Sequence, residues 1–574
     1  MASMPISFLN QKISTLHSAA LILGAAGFLS RLLGLLRDRL LAGTFGASRQ
    51  LDIYYAAFQI PDVLYTILLL GAGSVAILPI FTEIFQRNPK HAEEFMNALI
   101  TFFSFSAFIG ICIGFILTPS LSHALFPGFD AASLEQVILL TRIMLISPLL
   151  LGLSGILMSA VQASQKFIAY AVSGIVYNIG IIAGVLFFVP YFGLKGLALG
   201  VILGAVFHLI SQVRVYYSLG FRIRLVRDFF TPAVRGVCAV SLPRVIALSF
   251  TQITLTILIG VASTLHQGSI AVFQFANNLG FLPLGIFAVG YATALFPRFS
   301  ENALRGDGRA FFENLFFGIR IVSFWVVPMV FLSIVLRAHI VRVALGAGAF
   351  DWGNTRLTAA AFALLLIALF GESLRIIFLR ALYALQSTWM PLFMTACSMI
   401  FAVFSGVFFV HQFQAGGWFS ELVYSLLRVS DVAGGEVLGV VLGFSLGTLM
   451  NAVLLMIGLF ALRFSAFGSD GEARYYKYGD LIFPILKIVF SSFIGASASY
   501  GILSLLSNYF ILDTFANVFL EGLIAGAGGV AVYLIILYSM KSEDLESLLE
   551  SMKRRFFRLG ILPAYWNEER TRIE

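Results

Sequence analysis

Stretches of about 20 residues with almost no charge recur along this chain, and that pattern leaves few folds open. A helix needs about 20 apolar residues to cross roughly 30 Å of hydrocarbon. Irregular backbone cannot lie against lipid, because its N–H and C=O groups would have no partner there. Apolar windows bounded by turn and charge signals predict about fourteen spans, at 16–43, 51–86, 93–118, 134–162, 168–190, 195–219, 233–264, 269–301, 311–336, 354–386, 389–411, 434–463, 480–506 and 512–540. Charged residues make up 11% of the chain and hydrophobic ones 59%, whereas a soluble domain carries about 25% charge. The expected fold class is an all-α integral membrane protein.

The net charge of +8 is spread through short connections and forms no single patch, so membrane orientation explains it better than nucleic acid does. Even-numbered connections carry Arg87, Lys90, Lys166, Arg222, Arg224, Arg227, Arg235, Arg298, Arg305, Arg309, Arg474 and Lys477; odd-numbered ones carry Arg49, Lys195, Arg356 and Arg428. This asymmetry predicts that both termini are cytoplasmic. Cys112, Cys238 and Cys397 lie in separate apolar stretches and predict neither a disulfide framework nor a metal site. The run Leu16–Leu29 lacks a signal-peptide cleavage pattern, so no processing is expected. It is too short to span alone and must continue through Arg31 and Arg37; the alternative is an interfacial helix over 30–45.

An internal repeat is visible. Ala160-Val-Gln-Ala163-Ser-Gln165 returns as Ala381-Leu-Tyr-Ala384-Leu-Gln386, and Phe129-Asp130 returns as Phe350-Asp351, both 221 residues later. Pro79-Ile-Phe81-Thr-Glu83 returns as Pro297-Arg-Phe299-Ser-Glu301, offset 218. The offset covers six predicted helices, an even number, so the copies share one orientation, with the repeat axis along the membrane normal. The expected organisation is an N-lobe at 1–225 (helices 1–6), a C-lobe at 226–463 (helices 7–12), helices 13–14 at 464–540, and a cytoplasmic amphipathic tail at 541–574. The connection 412–435 reads as long and Gly-rich, on the extracytoplasmic side.

Ionisable groups at membrane depth are functional by default, because each is costly unless it faces protein or water. Arg31, Arg37, Asp38, Arg39, Asp52 and Asp62 cluster in the first two spans, with Arg142, Arg244, Arg375 and Arg380 further on. Guanidinium stays charged and presents a planar fork of donors suited to phosphate oxygens, so arginines converging on a cleft would bind an anion. For Arg39 beside Asp38, Arg142, and Arg375 near Glu372, internal pairing is as good a reading. Arg31 and Asp38 share a helix face while Arg37 points elsewhere, so one salt bridge cannot satisfy all three. His208 is expected to bond a neighbouring helix. No zinc, phosphate-loop or nucleophile-elbow motif appears, so neither an enzyme nor a cofactor is expected, and any energy input comes from an ion gradient or the membrane potential.

At these residues the chain resembles the MurJ/MviN lipid II flippase family of the multidrug/oligosaccharidyl-lipid/polysaccharide transporter superfamily. Ser30-Arg-Leu-Leu-Gly34-Leu-Leu-Arg37-Asp38 is similar to the family's SRxLGxxRD, followed by Phe45-Gly46-Ala47 and Asp52-Ile-Tyr-Tyr-Ala-Ala-Phe58. Pro127-Gly128-Phe129 resembles its PGF, and Arg380-Ala-Leu-Tyr383-Ala384 through Thr388 to Pro391 its RxFYAxxDTxxP. The resemblance implies fourteen helices, two six-helix lobes, a central cationic cavity, and flipping of an undecaprenyl-pyrophosphate-linked peptidoglycan precursor across the bacterial inner membrane by alternating access. It also implies contact with membrane lipids and with the cell-wall synthesis machinery. Arg31 and Arg37 match the family's helix 1 cavity positions; the expected substrate-binding residues of this chain are Arg31, Arg37, Asp38, Asp52, Arg244, Asn278 and Arg380, with Arg244 and Arg380 supplying positive charge from the second lobe. The chain departs where the family has an Arg pair after a helix 2 Pro-Asn, reading Pro61-Asp62, and where the family has Asp-Arg in helix 8, reading Asn277-Asn278. Those losses leave open a different polyprenyl-linked oligosaccharide, such as an O-antigen or capsule unit, or a non-transporting scaffold.

Overall fold

The computed structural model describes residues 16–72, 74–281, 283–285, 287–467, 479–507, 509 and 514–558; the side chains of 16–22, 69–76, 243–244, 463–466 and 551–558 fall outside that description. All regular structure in the described residues is helical. Eleven helices there are long and apolar enough to cross a membrane, from Pro89–Leu125 to Phe515–Ser539.

The three sequence windows missing from those eleven are the first, second and eighth. The first forms one continuous helix, Leu16–Phe45, running through the charged Arg31, Arg37, Asp38 and Arg39. In the second, Arg49–Ala72 and Ser74–Arg87 are helical on either side of residue 73, which lies outside the described residues. The eighth divides into Ser269–Gly280 and Ala288–Arg305, with Pro283 in the intervening turn. Apolar composition alone does not show where such helices stop.

The repeat is written into the backbone as well as the sequence. Gln165 and Gln386 both adopt left-handed φ, +60° and +57°, a conformation uncommon for a residue with a Cβ. Each closes its helix with a matching bond, Gln165 N–H to Gln162 O at 2.9 Å and Gln386 N–H to Tyr383 O at 3.0 Å. The second pair of strings gives the same ion pair twice, Glu83–Arg87 at 2.8 Å and Glu301–Arg305 at 2.7 Å. In the third, the carbonyls of Asp130 and Asp351 each accept the first intrahelical bond of the helix that follows, from Leu134 and Thr355.

The described residues form two compact units. The first comprises 1–282, 344–365 and 387–454. One of its cores gathers Phe81, Phe95, Leu99, Phe103, Ile156, Leu157, Tyr216 and Phe221. Elsewhere in it two spans meet through glycine: a Cβ on Gly180 would stand 2.3 Å from the Cα of Gly204. Close backbone approach of this kind drives helix association in lipid, where apolar burial alone gives little. The second unit comprises 283–343, 366–386 and 455–574. Phe324, Val327, Ile488, Tyr533, Leu537 and Leu545 form its core. The Tyr533 hydroxyl donates to Phe324 O at 2.8 Å, satisfying a polar group that would otherwise be costly at that depth. The C-terminal helix Glu543–Arg558 is held to this unit by Arg320, whose Nη2 lies 2.9 Å from Asp544 Oδ1.

Candidate substrate cavity

Within the first unit, a cavity of about 440 Å3 is lined by Ser30, Arg31, Gly34, Leu35, Arg37 and Asp38 of the first helix, by Asn178, and by Asn277, Asn278, Leu279 and Phe281. Seven polar or charged side chains are thus drawn from three helices that are otherwise apolar.

Asp38 organises the wall. Its side chain is 6% exposed, and Oδ1 accepts from Arg37 Nε at 2.9 Å and Nη2 at 2.8 Å, a two-pronged charge-assisted contact. Asn278 Nδ2 donates to Oδ2 at 3.1 Å. Arg37 Nη1 reaches Asn178 Oδ1 at 3.4 Å, and Asn178 Nδ2 is anchored on the carbonyls of Ser30 and Gly174 at 3.2 and 3.1 Å. Two guanidinium groups against one carboxylate leave the lining with one net positive charge. The Asn277 Oδ1 is buried with no partner among the described residues, an acceptor available to a hydroxyl or amide N–H. The arrangement suits an anion flanked by groups rich in hydrogen bonds.

The pairing differs from the one expected from the sequence. Neither Arg31 nor Arg39 takes Asp38; the adjacent Arg37 does. Adjacent helical residues do not normally face each other, but the long guanidinium stem folds back. Arg39 instead donates to Gly346 O at 3.1 Å.

Asp52, also expected at the substrate, does not line this cavity. It is 1% exposed, and its carboxylate accepts from Gly268 N–H at 2.6 Å and Ala271 N–H at 3.0 Å. It therefore caps the N-terminus of Ser269–Gly280, satisfying two of the donors every helix start leaves open and placing negative charge at the positive end of the dipole. Arg244 falls on a side chain outside the described residues. Arg380 belongs to the second unit, where its Nη2 donates to Thr293 Oγ1 at 3.3 Å and its guanidinium lies over the Phe296 ring. Arg375 pairs with Glu372, Arg142 lies over the Phe115 ring and donates to Phe115 O, and His208 Nδ1 meets Ser154 Oγ at 2.7 Å across two helices.

Near the Asp52 cap some helix ends come into close backbone contact. Gly43 O accepts Ala349 N–H at 2.8 Å, and a Cβ on Gly348, whose φ is +48°, would stand 2.2 Å from that same Gly43 O. The repeat-related contact is between Gly128 and the helix ending at Ser263: a Cβ on Gly128 would lie 2.3 Å from Ser263 O. Arg49 closes over the Phe129 ring at 4.9 Å. The Asp130 carboxylate beside it sits below the usual carboxylate range, chiefly through its hydrogen bond with Ser133.

Residues 41–426 match the family described as "Lipid II flippase MurJ".

The chain belongs to the MurJ family.

Individual relatives agree. A "Lipid II flippase MurJ" of Burkholderia cenocepacia is 26% identical over 450 residues, covering 76% of this chain and 83% of the relative. A "Probable lipid II flippase MurJ" of Buchnera aphidicola is 28% identical over 395 residues, covering 68% and 77%. A solved structure titled "Lipid II flippase MurJ, inward closed conformation" superposes with a TM-score of 0.70 at 22% identity, covering 92% of this chain and 99% of that one. An inward-facing multidrug resistance MATE family transporter superposes at 0.58 with 15% identity. MurJ is a family of membrane transporters and not of enzymes, and this MurJ-family chain has the multi-pass helical fold to match. Sequence reading missed Asn178 in its cavity and named Asn277 only as a departure from the family pattern. An asparagine inside the otherwise apolar helix Phe167–Ala183 is costly, and that was the available signal for the first of them.

Proposed function

We propose that this protein is a flippase that carries the undecaprenyl-pyrophosphate-linked peptidoglycan precursor, lipid II, across the cytoplasmic membrane by alternating access. The observation that carries the reading is the polar cavity bearing Arg31 and Arg37 in a chain of the MurJ family. Arg31 and the Asp38-oriented Arg37 would take the pyrophosphate, and Asn278 would hold Asp38 in place while Asn277 meets the sugar. Arg244 and Arg380 would add positive charge from the second half. The lobes at 1–225 and 226–463 would rock about the cleft, with helices 13–14 in 464–540 offering the lipid tail an apolar groove. Both termini and the 541–574 tail would be cytoplasmic, beside the cell-wall synthesis machinery.

The test is exposure of the precursor on the outer face in cells depleted of their own lipid II flippase. This protein should restore it, and Arg31→Ala or Arg37→Ala should not; unrestored exposure with normal membrane expression counts against the assignment. A second reading rests on Asn277-Asn278 and the single net positive charge: a flippase for another polyprenyl-linked oligosaccharide. Failed complementation together with loss of a surface polysaccharide on deletion selects it.

A further inference from the structure

The segment 412–435 was expected to be only a long Gly-rich connection, yet it contains a helix, Trp418–Leu427, whose faces are sorted three ways. One face packs on protein: Ser420 is buried, Phe419 stacks on Phe409 at 5.6 Å and lies 5.7 Å from Phe413, and Tyr424 lies 5.2 Å from Phe413. A second face is polar and exposed, with Glu421, Ser425 and the following Arg428. The third is apolar and exposed: Trp418 at 77%, Leu422 at 57% and Leu426 at 74%, spaced four apart and so one above the other on the helix.

Two observations say what covers that third face. The spanning helix Trp389–Ala415 carries an exposed apolar stripe along its length, Trp389, Phe393, Ile400, Phe404 and Phe408, which has to meet lipid. The chain then reverses at Gly416 and Gly417, φ +70° and +116°, and the ring contacts hold the short helix against the last two turns of that span. Phe409 lies six residues before Ala415, about 9 Å along the axis at 1.5 Å per residue. The short helix is therefore held beside the end of a lipid-facing span, at the level where hydrocarbon gives way to headgroups.

We propose that Trp418–Leu427 is an interfacial helix that inserts Trp418, Leu422 and Leu426 into the bilayer surface, the outer leaflet in the orientation proposed above. Trp is favoured at that level because its ring is apolar and its N–H is not. A helix with separate apolar and polar faces lies in the interface plane. Its C-terminal end is tied to the protein: the Arg356 guanidinium donates to Asp431 and to Arg428 O. The next residues, Val432 to Gly434, line a second cavity of about 320 Å3 with Ser48, His266 and Asp351.

The experiment uses the full chain reconstituted into phosphatidylcholine vesicles, with Trp418→Phe as the subtraction standard for the Trp418 emission. Lipid brominated near the headgroup should remove most of that emission, lipid brominated near the chain ends should remove less, and aqueous iodide should leave it nearly unchanged. Quenching by iodide without quenching by brominated lipid would place Trp418 in water and overturn the proposal. Protection from both quenchers would place it under protein and overturn it equally. Neither readout depends on which substrate is carried, and depth holds whichever leaflet is involved.

Discussion

Replacing either partner of the Arg37–Asp38 pair should destabilise the protein, but unequally, and the order can be worked from exposure. The Asp38 side chain is 6% exposed and that of Arg37 is 23% exposed. Arg37→Ala strands the more buried charge, leaving Asp38 with a single donor from Asn278. Breaking a buried ion pair from one side costs about 3–5 kcal/mol, and Arg37→Ala should fall in that range. Asp38→Ala leaves a guanidinium that still reaches Asn178 and faces the cavity, where water can replace a hydrogen bond to charge worth about 1.5–3 kcal/mol. Its expected cost is about 1–3 kcal/mol. The double variant Arg37→Met/Asp38→Leu removes both charges and should cost less than the two single changes together, giving a coupling of at least about 2 kcal/mol. Denaturation of the purified full chain by increasing SDS in mixed micelles measures all three. If Asp38→Ala were the costlier change, or the two single effects added within about 0.5 kcal/mol, the account of the cavity wall would be wrong. Transport should be lost in the double variant even where stability recovers, because the anion-binding fork is gone.

Other outcomes follow from features outside the cavity. Asp52→Ala leaves the Gly268 and Ala271 N–H groups open and should cost about 1–2 kcal/mol, in line with loss of an N-cap, while Asp52→Asn, with one acceptor oxygen left, should cost less; the same denaturation assay ranks them. Gly128→Ala places a methyl group 2.3 Å from Ser263 O, which no side-chain adjustment relieves because the neighbour is backbone. It should therefore push those segments apart, and increased labelling of a cysteine placed at Thr264 by an impermeant maleimide reports it; unchanged labelling with full activity contradicts the contact. The Asp431 carboxylate is held below its usual range by its hydrogen bond from Arg356. A lowered folded-state pKa stabilises above the ordinary value near about 3.9 and is lost as pH falls through the lowered one. Hydrogen exchange over residues 428–434 should therefore be constant from neutral pH down to that range, after correction for intrinsic rates, and rise only below it. Arg356→Met should abolish the step.

Much of the architecture was legible because lipid imposes so few solutions. Window length alone located the long spans, and the repeat strings foretold matched corners, down to the shared left-handed glutamines at 165 and 386. The break inside the eighth window was not legible, since hydropathy runs on through Leu279 while the helix does not. At the site, Arg31 and Arg37 were visible as charges in the wrong solvent. The partner of Asp38 was not, because Arg31, Arg37 and Arg39 all stand near it in sequence and spacing alone does not choose among three long side chains. Asp52 was marked as functional for the same reason as the arginines, yet its acceptor role is met by amides 216 and 219 residues later, a distance no local pattern spans. The short helix after Gly417 was hidden by the glycines that flank it.

The Asp52 cap also bears on biogenesis. A chain is made from its N-terminus at about 5–20 residues per second, so the 216 residues separating Asp52 from Gly268 take roughly 10–40 s to emerge. Throughout that interval the amides that will donate to the carboxylate do not yet exist. The first half must wait, with that group hydrated or shielded by the insertion machinery, and the arrival of the second half is what lets it settle.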